Sequence, residues 1–359
     1  MDGPILETKM LARWLIEAIN KNEPRLVDRA TKQFGVSRQT INRELKRLMV
    51  GGLIEGSGNT RARKYTLPVI RQNWVTYEIA DNVEEDVVWR HEIVALLGEL
   101  SNNVREICQF GFTEMLNNAI DHSESREVTV GFIQTVASIE LYVRDDGVGI
   151  FNKIQRQYEL EDPRHAVFEL SKGKLTTNPD THTGEGIFFT SRMFDSFHIH
   201  SSGLALICEN DQDWLIEVDE RVGPIPGTWI RMQISPFSER TTKYVFDRFA
   251  MTEDGDFGFS KTHVPLTLAR YGAEQLLSRS QARRVLARCD KFREVILIFT
   301  NIESIGQAFA DEIFRVYHNQ HPEIVIVALF ANAEVWRMIQ HVQSMLPEQN
   351  KGHENSAAC

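Results

Sequence analysis

The sequence predicts a multi-domain α/β protein, with a small α+β head, a central α/β unit and a C-terminal α/β unit. Three observations predict it. Apolar residues recur at helical spacing through the first 50 residues and then give way to a glycine-rich hairpin pattern. From about residue 72 a long helical pattern precedes six strand-like stretches. Near the end, two almost continuously apolar stretches flank a helical one, as parallel strands joined by a crossover do. A chain of 359 residues has room for two or three domains. Its 42% hydrophobic and 25% charged content is that of ordinary soluble domains.

No apolar run is long enough to cross a bilayer, so no membrane association is expected. The start, MDGPILETKM, shows no basic region followed by an apolar core, and a cytoplasmic location is expected. Cys108, Cys208, Cys289 and Cys359 are scattered without CxxC spacing, which fits reduced thiols better than a disulfide frame or a zinc site. The net charge of −10 is uneven: residues 1–71 hold 14 Lys and Arg against 7 Asp and Glu, so the head carries +7 and the remainder −17. A basic head on an acidic body is expected to meet a polyanion through the head alone.

Within the head, ILETKMLARWLIEAIN (5–20) has helical periodicity. Pro24 suits a second helix's first turn and Gly35 its end. Ser37 can cap a third helix whose apolar face is Ile41, Leu45 and Leu48. The other face of that helix shows Arg38, Gln39, Asn42, Arg43 and Lys46. LIEGSGNTRARKYTL then reads as strand, glycine-rich turn and strand. Residues 1–71 thus resemble the winged helix-turn-helix family, most specifically in FGVSRQTINRELKRL. The resemblance implies binding of double-stranded DNA. Ser37, Arg38, Gln39, Thr40, Asn42, Arg43 and Lys46 would lie on the helix that enters the major groove, with Arg61, Arg63 and Lys64 gripping phosphate from the wing. The alternative is a winged helix used only for protein contacts.

Residues 72–104 read as a helical linker, and residues 105–238 as the central domain. EMLNNAIDH (114–122) places Glu114, Asn118 and Asp121 on one side of a helix whose other side is apolar. Asn117 lies about 100° round from Asn118 and reads as structural. Two glycine-bearing stretches follow, RDDGVGIF (144–151) after a strand and THTGEGIFFTSRMF (181–194) before a helix. Each alone is a weak signal. In this order they resemble the GHKL nucleotide-binding family, which includes type II topoisomerases, histidine kinases, MutL-type repair proteins and the large heat-shock chaperones.

That resemblance implies an α/β sandwich on a mixed sheet, with ATP and Mg²⁺ as cofactors. Asn118 matches the Mg²⁺-ligating asparagine, an amide oxygen suited to a hard cation. Glu114 matches the residue that orients or deprotonates water, and Asp121 an acidic position of the MutL and chaperone branches. Asp145 matches the carboxylate that accepts from the adenine amino group. Gly147 and Gly149 would let the backbone approach the base, and Gly184 and Gly186 would open a helix toward phosphate. The segment between the glycine motifs would be an ATP lid, with Lys172 and Lys174 as candidates for phosphate and a solvated loop as the plain alternative. Thr228 in GTWIRM matches a threonine near the adenine carboxylate. A histidine kinase would need an acceptor on a separate helical hairpin, and His91 leaves no room for one.

Residues 258–342 carry EVILIF and EIVIVALF around IGQAFADEIFRVYHN, a strand–helix–strand crossover. With LSRSQARRVL they resemble a STAS-like domain of unknown function found with GHKL ATPases, although Ile298-Phe299 stands where that family has Asp-Phe. Gln307 and Ala308 fall near the position where true STAS antagonists of anti-sigma factors carry a phosphorylatable serine, so docking to a protein partner is the expected role. Residues 343–359 lose all periodicity and are expected to be a disordered tail. The expected whole is a cytoplasmic transcription regulator that binds and hydrolyses ATP. A serine/threonine protein kinase of the anti-sigma type and a nucleotide-gated interaction scaffold are the alternatives, and a homodimer is left open.

Overall fold

The computed structural model describes residues 3–58, 63–175, 184–218, 226–250, 259–270 and 274–345, without the side chains of residues 3–8 and Asp81. The expected tail lies mostly outside that range.

The head forms from α1 (Gly3–Asn20), α2 (Leu26–Phe34) and α3 (Arg38–Val50). Their apolar faces meet in a small core of Leu15, Ala30, Ile41, Leu45 and Leu48. Gly35 ends α2 in the left-handed region at φ +64°, and its amide closes on the Thr31 carbonyl. Two residues on, Ser37 caps α3 by accepting from the Thr40 amide at 3.1 Å. Pro24 stays outside α2, whose N-cap is Arg25. β1 (Glu55–Ser57) and β2 (Lys64–Thr66) pair antiparallel, Glu55 opposite Thr66.

β3 (Arg71–Glu78) corrects the expected linker: it is the edge strand of the main sheet, paired antiparallel with β4 (Glu127–Gln134) from Arg71↔Gln134 to Glu78↔Glu127. Val75 and Tyr77 pack inward while Trp74 faces out, a period of two too short to stand out beside the helical residues after it. Helix follows in α4 (Glu85–Val88), a π-helical stretch at Trp89–Val94 and α5 (Ala95–Leu97), then α6 (Asn102–His122). β5 (Ile139–Asp145) leads through α7 (Ile150–Gln157), α8 (Pro163–Lys172) and α9 (Gly186–Met193) to β6 (Ser196–Ser201), β7 (Leu204–Glu209), β8 (Gln212–Glu217) and β9 (Thr228–Ile234).

The strand order is β3-β4-β5-β9-β6-β7-β8. Every neighbouring pair is antiparallel, so the expected mixed sheet is corrected too. The reason is topological. β5 and β6 run parallel, but β9 inserts between them and is antiparallel to both.

α10 (Thr242–Phe249) leads to a parallel sheet of β10 (Lys261–Pro265), β11 (Glu294–Ile298) and β12 (Val325–Leu329), in that order. α11 (Arg279–Leu286) starts at a capping box of Ser278 and Gln281. The crossover is α12 (Gln307–Asp311), a π-helical stretch at Glu312–Tyr317 and α13 (His318–Gln320), and α14 (Ala333–Gln343) follows β12. The two sheets share one hydrophobic core, while the head keeps its own. Among the described residues no helix is long and apolar enough to cross a membrane, and Cys108, Cys208 and Cys289 are buried free thiols.

Candidate functional site

α6 buries Ile107, Phe112, Met115, Leu116 and Ala119 at helical spacing. Glu114 and Asn118, one turn apart, line a cavity of about 260 Å³ instead. Asp145, Thr228, Gly184 and Gly186 line the same cavity. The structure therefore gathers residues that lie far apart in sequence, Glu114 and Thr228 being 114 positions from each other. Asp121 is exposed and is not in that lining, nor is the half-buried Asn117.

Asp145, the last residue of β5, is 5% exposed. Its Oδ1 accepts from the Gly147 amide at 3.0 Å and the Thr228 amide at 3.1 Å. Burial raises its pKa above the ordinary aspartate range, against the pull of the Gly147 and Thr228 donors. The Thr228 hydroxyl accepts from the Ile150 amide at 3.0 Å, which ties β9 to the start of α7. Two glycines make this brace possible. A Cβ on Gly147 would sit 1.9 Å from the Ser123 carbonyl oxygen, and one on Gly227, at φ +70°, would sit 2.2 Å from that of Asp145. Gly149 caps α7, and Gly184 accepts from the Leu175 amide at 3.2 Å just before α9.

The lysines expected at phosphate are placed elsewhere. Lys172 is 1% exposed and outside the cavity lining. Its ammonium donates to Glu169 at 2.6 Å, the Ala287 carbonyl at 2.9 Å and the Arg284 carbonyl at 3.2 Å. An apolar interdomain setting forces this, because a buried ammonium must find acceptors nearby. Lys174 donates to the Lys291 carbonyl at 3.0 Å and lies over the Phe259 and Phe292 rings. The lysine that does line the cavity is Lys153, whose ammonium reaches the His122 carbonyl at 2.8 Å and Glu124 at 3.1 Å. Sequence reasoning missed it, yet the signal was there. A helix starting after Gly149 puts Ile150, Lys153 and Ile154 on one face, and all three line the cavity.

In the head, Arg38, Gln39, Asn42, Arg43 and Lys46 are exposed along one face of α3. Arg38 pairs with Asp28 at 3.0 Å. Ser37 and Thr40 are turned to capping, their hydroxyls 3.0 Å apart. Arg63 and Lys64 are exposed where β2 begins, with Arg63 over the Tyr65 ring, and Arg61 lies outside the described residues.

Two family models match the chain. Residues 73–207 match a histidine kinase-like ATPase domain, and residues 281–335 match the STAS-like domain of unknown function DUF4325. The chain therefore carries an ATPase-like domain of the histidine kinase type followed by a STAS-like domain. The first match begins inside β3, in keeping with that strand's place in the sheet. No curated protein matches the chain.

Proposed function

We propose that this protein is an ATP-binding regulator of the GHKL type whose basic head binds double-stranded DNA as a winged helix. One observation carries the nucleotide reading: the braced, buried Asp145 carboxylate faces a cavity whose opposite helix offers Glu114 and Asn118. With Oδ1 already accepting from two backbone amides, the carboxylate offers its other oxygen to an exocyclic amine. Adenine carries such an amine where guanine carries a carbonyl, so the site selects ATP over GTP. The amide oxygen of Asn118, beside Glu114, would hold a Mg²⁺ ion, which when bound would neutralise charge at the phosphates. Glu114 orients a water or takes its proton. Lys153 adds a positive charge at the cavity wall. Gly184 and Gly186 stand at the start of α9, the end of a helix that suits an anion.

The basic residues exposed on α3 and at β2 support the DNA reading, since side chains at the start of such a helix reach base edges. A protein kinase reading would give a phosphoprotein, whereas a hydrolase gives free phosphate. The STAS-like domain is then a docking module for a protein partner. Calorimetric titration of the whole protein with Mg-ATP and Mg-GTP tests the nucleotide reading. ATP binding with GTP at least tenfold weaker is the expected result, and equal binding of the two rejects the adenine assignment.

A further inference from the structure

The end of α8 and the end of α11, one from each of the two fused domains, lie within hydrogen-bonding reach of each other. The last carbonyls of any helix lack partners within it and mark the negative end of its dipole. Cations suit two such ends brought close together. Lys172, from the end of α8, donates to the Arg284 and Ala287 carbonyls at the end of α11. Arg288, just past α11, donates in return to the Gly173 carbonyl at 3.2 Å and the Lys174 carbonyl at 2.6 Å, just past α8. Glu169 bridges the two cations, accepting from Lys172 at 2.6 Å and Arg288 at 2.9 Å. All three of the lysine's N–H groups have acceptors, and the helices are capped by exchange across the domain boundary.

This exchange sits one residue from the cavity. Leu170 and Leu175, on either side of it, line the cavity together with Gly184, to which Leu175 is hydrogen-bonded. Phe259, which precedes β10, strengthens the join. Its ring lies 4.6 Å from Phe188 and 4.9 Å from Phe189 on α9, and it fills the space where Gly173 would carry a Cβ.

We infer that the STAS-like domain braces one wall of the nucleotide cavity from behind, with Arg288 as the positioning residue, and that the reciprocal helix cap couples nucleotide occupancy to the end of α11. The inference rests on the reading that the cavity takes ATP and goes beyond it by naming what senses the bound state. Arg288 touches no ligand. It acts through the carbonyls of Gly173 and Lys174, which hold Leu170 and Leu175 in the wall. Binding that tightens this wall must tighten the cap as well, because coupling between two sites is reciprocal.

The test is amide exchange and calorimetry on the full chain, using Mg-ATP as the probe. In the wild type, ATP slows exchange in residues 284–291 along with 170–175. In Arg288→Ala, ATP affinity falls by roughly 5- to 100-fold and ATP no longer protects 284–291, while exchange in β4 and β5 stays as in the wild type. Arg288→Lys restores part of the affinity, since it keeps the charge but lacks the planar fork whose two nitrogens reach Glu169 on one side and the Gly173 and Lys174 carbonyls on the other. Should the wild type bind ATP with exchange at 284–291 unchanged, or Arg288→Ala bind as tightly as the wild type, the coupling is wrong and the nucleotide site stands. Should the wild type bind no ATP, the nucleotide reading falls and takes the coupling with it. The wild-type exchange experiment decides the matter even if Arg288→Ala does not fold.

Discussion

At Asp145 a single carboxylate carries both a structural and a chemical burden. It holds Gly147 to Thr228 and faces the cavity. Asp145→Asn removes the charge that favours an amine donor, and ATP affinity is expected to fall about tenfold to a hundredfold, the equivalent of roughly 1.5–3 kcal/mol, in a calorimetric titration. Burial raises the Asp145 pKa, so the folded protein takes up this proton more readily than the unfolded chain. Below the unfolded value the carboxyl is neutral in both states. As pH rises through the folded value, ionisation of the buried group costs stability, and a bound amine offsets that cost. Acidification should therefore weaken ATP binding starting above the ordinary aspartate range. The comparison with Asp145→Asn isolates this effect, because titration of the phosphates is common to both proteins. Glu114→Ala should keep ATP binding and abolish phosphate release, read by a coupled phosphate assay. Equal turnover in the two proteins would exclude Glu114 as the group acting on water.

α6 presents Glu114 and Asn118 accurately only because it lies close against α9. Gly111 makes that approach possible, since a Cβ there would meet the Phe194 ring at 2.4 Å. Helix propensity alone predicts that Gly111→Ala stabilises by about 1 kcal/mol. Overpacking predicts a loss of about 1–3 kcal/mol, and the rigid ring makes that the expected outcome in urea unfolding. α3 shows the opposite design, with Ile41, Leu45 and Leu48 buried and its basic residues left in solvent. Arg43→Ala should cost roughly 1–3 kcal/mol on a selected DNA site and relax one base pair, while Lys64→Ala should weaken all sequences alike. A head that binds no duplex at low salt would leave the reading in which it makes protein contacts only.

The whole molecule divides differently from its expected chain of three modules. The head has a core of its own, whereas the ATPase-like and STAS-like domains share one. Calorimetric unfolding should accordingly show two transitions, a small one for the head and a larger one for the fused body. Saturating Mg-ATP should raise only the larger, by linkage of binding to folding. A single transition that moves as a whole with ATP would contradict this division.

Local pattern alone determined much of this protein. Strand-like stretches marked β4 to β9, almost continuously apolar ones marked β11 and β12, and the cap at Ser37 with the apolar stripe of α3 marked the third helix. Glu114, Asn118 and the glycine stretches were legible because each motif is short and local, and their order pointed to one cavity. β3 was missed because an edge strand is specified by pairing with β4, which lies some fifty residues on. The insertion of β9 between β5 and β6, and with it the antiparallel sheet, is equally a property of pairing and not of any strand's own residues. The lysines of the lid segment show the limit most clearly. A lysine beside a glycine-rich loop looks the same in sequence whether it faces phosphate or a neighbouring helix end. Only the tertiary structure, by bringing the end of α11 against α8 and excluding water there, decided that Lys172 caps a helix and left Lys153 at the cavity wall.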